Sequence, residues 1–425
     1  MFEVKEKPKL VERAYLISCI QSEKERGEAD SLLDELDELT RNLGIGVLGR
    51  KVIRIRKTSP RFILGKGKVD EVLDELKKSQ ADVLIFDNEI SPAQQRNWET
   101  ESKILVIDRH EIILDVFAER AQTKEAKLQV KLARLEYSLP RLRRAWTHLS
   151  RQRGGGVTQR GEGEAQIELD QRMVRDQIAA TRREIMQVSK QRQVGRSRRQ
   201  RLPLPSVAIV GYTNAGKSTL LNTLTGAEAL AEDKLFATLD PTSRKLKLAS
   251  GRMVVLTDTV GFIRKLPHRL VDSFKATLEE ALVSDLILHL VDLSNPEYEA
   301  QMKTTEKVLE ELGAGEQEIL IVYNKIDSLE NETEILHARR LAPSAVFLSA
   351  RTGVGLADLL EKLEETFAGQ RSTCEYLIPL NRYDLVARLK SQGELVTEET
   401  TENGYLVRGA PRGDLHQLLE GLRER

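Results

Sequence analysis

The residues with the clearest chemistry are Gly211-Tyr212-Thr213-Asn214-Ala215-Gly216-Lys217-Ser218. They lie between the apolar run Val207-Ala208-Ile209-Val210 and the run Thr219-Leu220-Leu221-Asn222. A buried strand, a glycine-rich turn and the start of a helix form the setting that a G-x-x-x-x-G-K-[ST] phosphate loop needs. The glycines let backbone N–H groups point into one concavity at the positive end of the helix, where phosphate oxygens bind. Lys217 can reach the β- and γ-phosphates of a nucleoside triphosphate, and Ser218 can ligate Mg²⁺. The bland alternative is a chance glycine-rich β–α turn, and the motifs that follow weigh against it.

Met253-Val254-Val255-Leu256-Thr257 reads as a strand that delivers Asp258-Thr259-Val260-Gly261 at its end. Asp258 can hold Mg²⁺ through water, and the Gly261 N–H can take a γ-phosphate oxygen, so that loss of phosphate releases the segment. Further on, Ile319–Tyr323 runs into Asn324-Lys325-Ile326-Asp327. A carboxylate at Asp327 can accept from both N1–H and the 2-amino group of guanine. Adenine offers neither donor and leaves the carboxylate unpaired, which a buried polar site rejects strongly. Asn324 ties this loop to the phosphate loop, and the Lys325 stem covers a base face. After Val346-Phe347-Leu348, the backbone of Ser349-Ala350-Arg351 can bond the guanine O6. Each motif is weak alone, but four in this order, each after an apolar strand, specify GTP.

The segment Phe236-Ala237-Thr238-Leu239-Asp240-Pro241-Thr242 should supply a threonine that completes Mg²⁺ coordination and senses the γ-phosphate. Thr238 is favoured and Thr242 is the alternative. The expected catalytic set is Lys217, Thr238 and Gly261, with Ser218 and Thr238 as metal ligands. A glutamine often follows the Asp-x-x-Gly motif and orients the attacking water, but here that position is Phe262. Slow intrinsic turnover, accelerated by a partner, is the expectation.

The elements that must position these residues follow from composition and pattern. The chain has 425 residues, 40% hydrophobic and 31% charged, which suits two to four soluble domains. Cys19 and Cys374 show no metal-ligand spacing. The N-terminus has no apolar signal core, and no apolar run approaches the roughly 18 residues of a membrane span. A cytoplasmic, monomeric protein is expected. The formal net charge is zero, with 66 basic and 66 acidic residues, but Arg134–Arg201 is strongly basic while Asp30–Glu38 and Glu306–Glu318 are acidic. The average therefore conceals a segregation of charge.

Before Phe117, strands at Ala14–Ile20, Val47–Ile55, Val83–Phe86 and Ile104–Ile107 alternate with helical patterns, one at Leu32, Leu33, Leu36 and Leu39 behind a possible Ser31 cap. This predicts a small, mostly parallel α/β domain. Asp87 and Asp108 end two strands; catalysis there is the minor reading, and loop or cap roles are commoner. Gly65-Lys66-Gly67-Lys68 reads as a turn before a helix over Val69–Lys77. Ala126, Val130, Ala133 and Tyr137, then Leu169, Met173, Ile178, Ile185 and Val188, describe two helices of a hairpin, the first interrupted or kinked at Pro140. Between them, Arg141–Glu164 is rich in Arg and Gly and carries Trp146, a composition suited to phosphate contacts and base stacking. A solvated loop is the bland reading. Cys374–Leu380 and Gly404–Val407 read as strands of a small tail domain, with helices at Tyr383–Lys390 and Leu415–Leu422. The expected domains are 1–115 (N-terminal α/β), 116–201 (hairpin with a basic tip), 202–370 (G domain) and 371–425 (small C-terminal domain). The expected fold class is thus α/β: a P-loop GTPase domain with a parallel-sheet core, preceded by a small α/β domain and a helical hairpin and followed by a small α+β tail.

On these motifs the chain resembles the HflX GTPases over nearly its whole length. The likeness rests on Gly211–Ser218, Phe236–Asp240, Asp258–Phe262, Asn324–Asp327 and Ser349–Arg351, and outside the G domain on Gly65–Lys68 and Phe86–Asn97, with Ser91-Pro92-Ala93-Gln94-Gln95-Arg96-Asn97. It departs in the linker loop, where Gly161-Glu162-Gly163-Glu164-Ala165-Gln166 replaces the family's Gly-Pro-Gly-Glu-Thr-Gln. The resemblance implies a GTPase that associates with the large (50S) ribosomal subunit, the 70S ribosome and ribosomal RNA, and splits or rescues stalled or idle ribosomes under stress. It also implies ATP binding, which nothing in this G domain explains. A nucleotide-kinase reading finds no second substrate site with arginines around the phosphate loop and leaves Asn324–Asp327 unexplained. An assembly factor whose release is timed by hydrolysis stays open.

Overall fold

Strand β1 (Arg13–Ile20) is buried along all but its first residue, because it pairs on both edges: with β2 (Gly46–Arg54) on one side and β3 (Val83–Phe86) on the other. The computed structural model describes residues 11–145, 169–188, 204–226, 235–236, 241–265, 282–314, 317–329, 331, 333–369, 374–392, 395–401, 403–409, 411, 415, 418–419 and 422. By internal contacts these divide into two units. One holds the residues up to 186 together with 235–236 and 263–265; the other holds the rest.

In the first unit, α1 (Arg26–Asn42), α2 (Lys66–Ser79) and α3 (Pro92–Ser102) alternate with the strands, and β4 (Leu105–Asp108) completes an all-parallel sheet in the order β2-β1-β3-β4. The four residues of β3, Val-Leu-Ile-Phe, are all buried, as a central parallel strand covered on both faces requires. Helix α4 (Arg109–Arg120) leads to the long α5 (Lys124–Ala145), and residues 169–188 form α6. The Arg182 guanidinium bonds Glu136 at 2.7 Å and so links α6 to α5. The basic tip, residues 146–168, lies outside the described residues.

Several local expectations shift. Helix α1 starts at Arg26 rather than behind Ser31, because Ser22 caps a 3₁₀ turn over Glu23–Glu25 that runs straight into it. Helix α2 starts at Lys66 with Gly65 as its cap, so Lys66-Gly67-Lys68 are its first turn rather than a turn before it. Helix α5 passes through Pro140, which removes one helical N–H, and Arg141 anchors the next position: its guanidinium bonds Asp108 at 3.2 Å, Gln95 at 3.1 Å and the Ile90 carbonyl at 3.3 Å.

The polar residues of Ser91–Trp98 turn out to be stitching. Ser91 and Gln94 form a reciprocal capping box. Gln94, Asn97 and Trp98 each donate to a backbone carbonyl of the preceding loop, those of Ser59, Arg61 and Phe62, all at 2.9 Å. The two strand-end aspartates are buried rather than solvated. Asp108 caps α4 through the His110 and Glu111 N–H groups and also accepts from Tyr137 at 2.9 Å. Asp87 takes Arg109 at 3.0 Å and Lys265 at 2.5 Å, while Arg109 also bonds Glu35 and the Leu32 carbonyl. Arg264 adds a 2.7 Å bond to the Ser31 hydroxyl. Removing one partner from such a buried ionic cluster costs about 3–5 kcal/mol.

Burial, with the like charges of Asp115 and Asp108 behind it, pushes the Glu111 carboxyl up to about 7 from 4.5. Its neutral form therefore contributes stability that is complete below pH about 4.5 and lost as pH rises through about 7, on the order of 3 kcal/mol. Glu111→Gln keeps an acceptor for Tyr137 and removes the charge. It should raise the thermal midpoint at pH 8 and leave it unchanged at pH 4.5, as read by circular dichroism across that range. A gain of equal size at both pH values counts against burial as the cause.

The second unit is built on a six-stranded sheet. Its elements are β5 (Ser206–Gly211), α7 (Lys217–Thr225), β6 (Thr242–Lys247), β7 (Met253–Asp258), β8 (Leu286–Asp292), α8 (Tyr298–Leu312), β9 (Ile319–Asn324), α9 (Thr333–Leu341), β10 (Val346–Phe347) and α10 (Leu356–Gly369). The order is β10-β9-β8-β5-β7-β6, parallel except for β6. Its core is aliphatic, with Ile209, Leu220, Leu256, Leu288 and Val322 fully enclosed. A separate antiparallel sheet, β11 (Cys374–Ile378), β12 (Leu395–Thr401) and β13 (Gly404–Gly409), packs with α11 (Tyr383–Ser391) around Tyr376, Leu385, Leu389 and Val407. Strand β12 had no counterpart in the sequence reading, because Leu-Val-Thr-Glu-Glu-Thr-Thr is too polar to stand out. Among the described residues no helix is long and apolar enough to cross a membrane.

Candidate functional site

The site forms where β5, β7 and β9 end, at the carboxyl edge of the parallel sheet, the usual position for ligands in open α/β sheets. Gly211 closes β5 so near β8 that an added Cβ would lie 2.2 Å from the Leu290 carbonyl oxygen. The loop then turns through Asn214 (φ +61°) to Gly216 (φ +92°), which caps α7. Lys217 is buried under this loop, its ammonium donating to the carbonyls of Tyr212 at 2.8 Å and Gly211 at 3.2 Å. Burial pushes its pKa down to about 8, with Asp258 opposing. Ser218, next on α7, donates to Asp258 at 2.7 Å.

Beyond Asp258, the Thr259 hydroxyl bonds the Ile209 carbonyl at 2.8 Å, and Val260 is buried. Gly261 passes so close to the phosphate loop that a Cβ would meet the Lys217 ammonium and Thr213 Cα and Cγ2, each at 2.9 Å. Phe262 is held by its backbone on both sides: Thr213 N–H donates to its carbonyl at 2.8 Å, and its own N–H donates to Gly211 at 3.1 Å. Its ring is buried.

Asn324, at the end of β9, is the hub of the second half. Its amide donates to the Ala215 carbonyl at 2.8 Å, and its oxygen accepts from the Ala350 N–H at 2.9 Å. Thr223 of α7 donates to the Ala350 carbonyl at 2.8 Å. The three loops are therefore locked as one piece. Lys325 sits at φ +63° and pairs with Asp292 at 2.7 Å, which fixes its stem. Ile326 opens a 3₁₀ turn over Ile326–Ser328 that carries Asp327. A hydrogen bond from Ser349, and then Arg351, hold the Asp327 carboxyl below the usual range, so it is ionised at neutral pH.

The structure thus brings together Gly211–Ser218, Asp258–Gly261, Asn324–Asp327 and Ser349–Arg351. Of the segment Phe236–Asp240, only Phe236 is described. It belongs by contact to the first unit, where its buried ring meets Phe117 edge-on at 4.5 Å. Ala237, Thr238, Leu239 and Asp240 lie outside the described residues. Thr242, the alternative to Thr238, opens β6 directly opposite Asp258 in the register.

Three residues escaped the sequence reading. Asp292 ends an apolar strand just as Asp258 does, so that signal was present. Thr223 and the buried His289, whose pKa burial and then Lys217 push down to about 4, carried none.

Three family models match the chain: one described as GTP-binding GTPase N-terminal over residues 30–118, one as GTP-binding GTPase Middle Region over 120–199, and one as 50S ribosome-binding GTPase over 206–325. Curated relatives match along almost the full length. The GTPase HflX of Akkermansia muciniphila is 47% identical over 418 residues, covering 96% of each chain. That of Caldanaerobacter subterraneus subsp. tengcongensis is 43% identical, covering 96% of this chain and 93% of its own. That of Escherichia coli K12 is 42% identical, covering 88% and 87%. Among solved structures, a crystal structure of an SsGBP and GDP complex is similar at 24% identity and a TM-score of 0.46, covering 83% of this chain and 98% of that one, a likeness too slight to bear on the site. Nearly full-length identity of this size, on a P-loop fold that assembles all four motif loops, places the chain in the HflX family of GTPases.

Proposed function

We propose that this GTPase works on the ribosome: it binds the large subunit and, in its GTP form, dissociates stalled or idle 70S particles. The observation that carries the reading is the match of residues 206–325 to a 50S ribosome-binding GTPase model within an HflX chain. The Arg- and Gly-rich segment between α5 and α6 supports it by composition, since such a segment suits ribosomal RNA phosphates.

In the site, the loop Gly211–Ser218 would cradle the phosphates, with Lys217 at the β- and γ-groups. An anion there favours the charged lysine and offsets the downward push of burial. Asp327 would read guanine, Lys325 would cover the base, and Ser349-Ala350-Arg351 would close its edge. Mg²⁺ fits the donor set: the Ser218 hydroxyl and the Asp258 carboxylate are hard oxygens 2.7 Å apart. Ser218 and Thr238 would ligate it directly, Asp258 through water, and the ion would neutralise phosphate charge. The Gly261 N–H would meet the γ-phosphate.

The test mixes the purified protein with 70S particles and with separated subunits, in GTP, GDP or a non-hydrolysable GTP analogue. Cosedimentation with large subunits, a fall in 70S light scattering with the analogue, and at least roughly tenfold faster hydrolysis on particles are expected. Intact 70S alongside binding to subunit precursors would favour the assembly-factor reading. No binding and no change in rate would reject both.

A further inference from the structure

We infer that the Thr213 hydroxyl is a catalytic group that holds the attacking water during GTP hydrolysis, the role that Phe262 has no polar atom to fill. Thr213 is the third residue of the phosphate loop, is 6% exposed, and its Oγ1 is buried without a hydrogen-bond partner. Buried hydroxyls are nearly always paired, so an unpaired one in a functional loop calls for a ligand or a reacting group. Its surroundings say which. Thr213 packs its Cα and its methyl carbon against Gly261 beside the Lys217 ammonium: an added Cβ on Gly261 would sit 2.9 Å from each of these three atoms. Those two residues converge on the γ-phosphoryl end of a nucleotide in the phosphate-loop reading, on which this inference rests.

Phe262 cannot exchange places with it. Its backbone is bonded on both sides to Gly211 and Thr213 and its ring is buried. The same bonds fix Thr213: its N–H is spent on the Phe262 carbonyl, and its side-chain hydroxyl is unpaired. In the reaction the water oxygen bonds to the γ-phosphorus while the bond from phosphorus to the β–γ bridging oxygen breaks. The water's proton leaves with the inorganic phosphate. Thr213 accepts a hydrogen bond from the water and takes no net proton, so its contribution is orientation.

Thr213→Val keeps the shape and removes the hydroxyl, and Thr213→Ser keeps the hydroxyl and removes the methyl. Single-turnover GTP hydrolysis and the affinity for a fluorescent non-hydrolysable GTP analogue are measured for both, with Lys217→Ala as a reference. A contact made only in the transition state lowers the rate and not the binding. The valine variant should hydrolyse at least about tenfold more slowly with affinity within about twofold, and the serine variant should recover most of the rate. A valine variant with unchanged rate, or serine and valine variants that fall together, overturns the role of Thr213 while the site stands. A Lys217→Ala variant that binds and hydrolyses normally overturns the site reading and this inference with it.

Discussion

Gly216→Ala should lower the affinity for GDP and GTP by a hundredfold or more while the protein still folds. Gly216 has φ +92°, where an L-residue is strained by about 1–2 kcal/mol. The added methyl would also lie 2.3 Å from the Asn324 amide nitrogen. Backbone on either side cannot yield easily, since Gly216 caps α7 and accepts the Leu220 N–H at 2.9 Å. Asn324 must therefore move, and it bonds Ala215 on one loop and Ala350 on another. Losing both leaves buried groups unpaired at about 1–3 kcal/mol each. Together these terms reach about 3–8 kcal/mol, and a hundredfold loss in binding needs only about 2.7 kcal/mol of it to fall on the nucleotide-holding loop. Fluorescent GDP titration checks the affinity, and circular dichroism checks the fold. Affinity within threefold of the parent would mean that Asn324 does not connect the loops as the geometry says.

The phosphate loop and the base loops were legible because their chemistry is local. Each depends on a short spacing after an apolar strand, and the strand β5 positions Gly211 and Lys217 whatever the distant sequence does. Asn324 and Asp327 were readable for the same reason. Asp87 and Asp108 were not, because their partners are far along the chain: Lys265 and Arg109 for one, Tyr137 and Arg141 for the other. A strand-end aspartate looks the same from sequence whether it meets water, a metal or a buried guanidinium. Gln94 and Asn97 stood out only through resemblance and Trp98 not at all, and their loop-binding role needed the fold. Phe236 has a contact of another kind. Its place in the chain associates it with the nucleotide, while its ring is buried against Phe117, a contact that spacing does not announce. Pro140 shows the limit of local rules, since helix α5 runs through it with Arg141 anchored on three partners.

Asp327→Asn should cost guanine nucleotides at least a hundredfold in affinity and turn the preference towards xanthine. In the proposed site the carboxylate would accept from two donors on guanine, N1–H and the 2-amino group. An asparagine can accept at only one of them, and its own NH₂ then faces the base amino group, donor against donor. A buried mismatch of this kind is rejected by far more than a lost contact, because polar groups are left unpaired. Xanthine carries a carbonyl where guanine has the amino group, so it accepts from the new amide while its N1–H still donates to the amide oxygen. The surrounding structure favours a clean exchange. Asp327 stands on a short 3₁₀ turn next to Lys325, which Asp292 holds in place, and on the edge that Ala350 closes through Asn324. None of these uses the Asp327 carboxylate. Ser349 and Arg351 do; the single amide oxygen keeps Ser349 beside the base N1–H, and the exposed Arg351 guanidinium turns to water. Competition of GDP and xanthosine diphosphate against a fluorescent GDP, and hydrolysis of xanthosine triphosphate, measure the switch. A variant that keeps its guanine affinity, or that binds adenine and xanthine nucleotides alike, would remove Asp327 from the base-reading role.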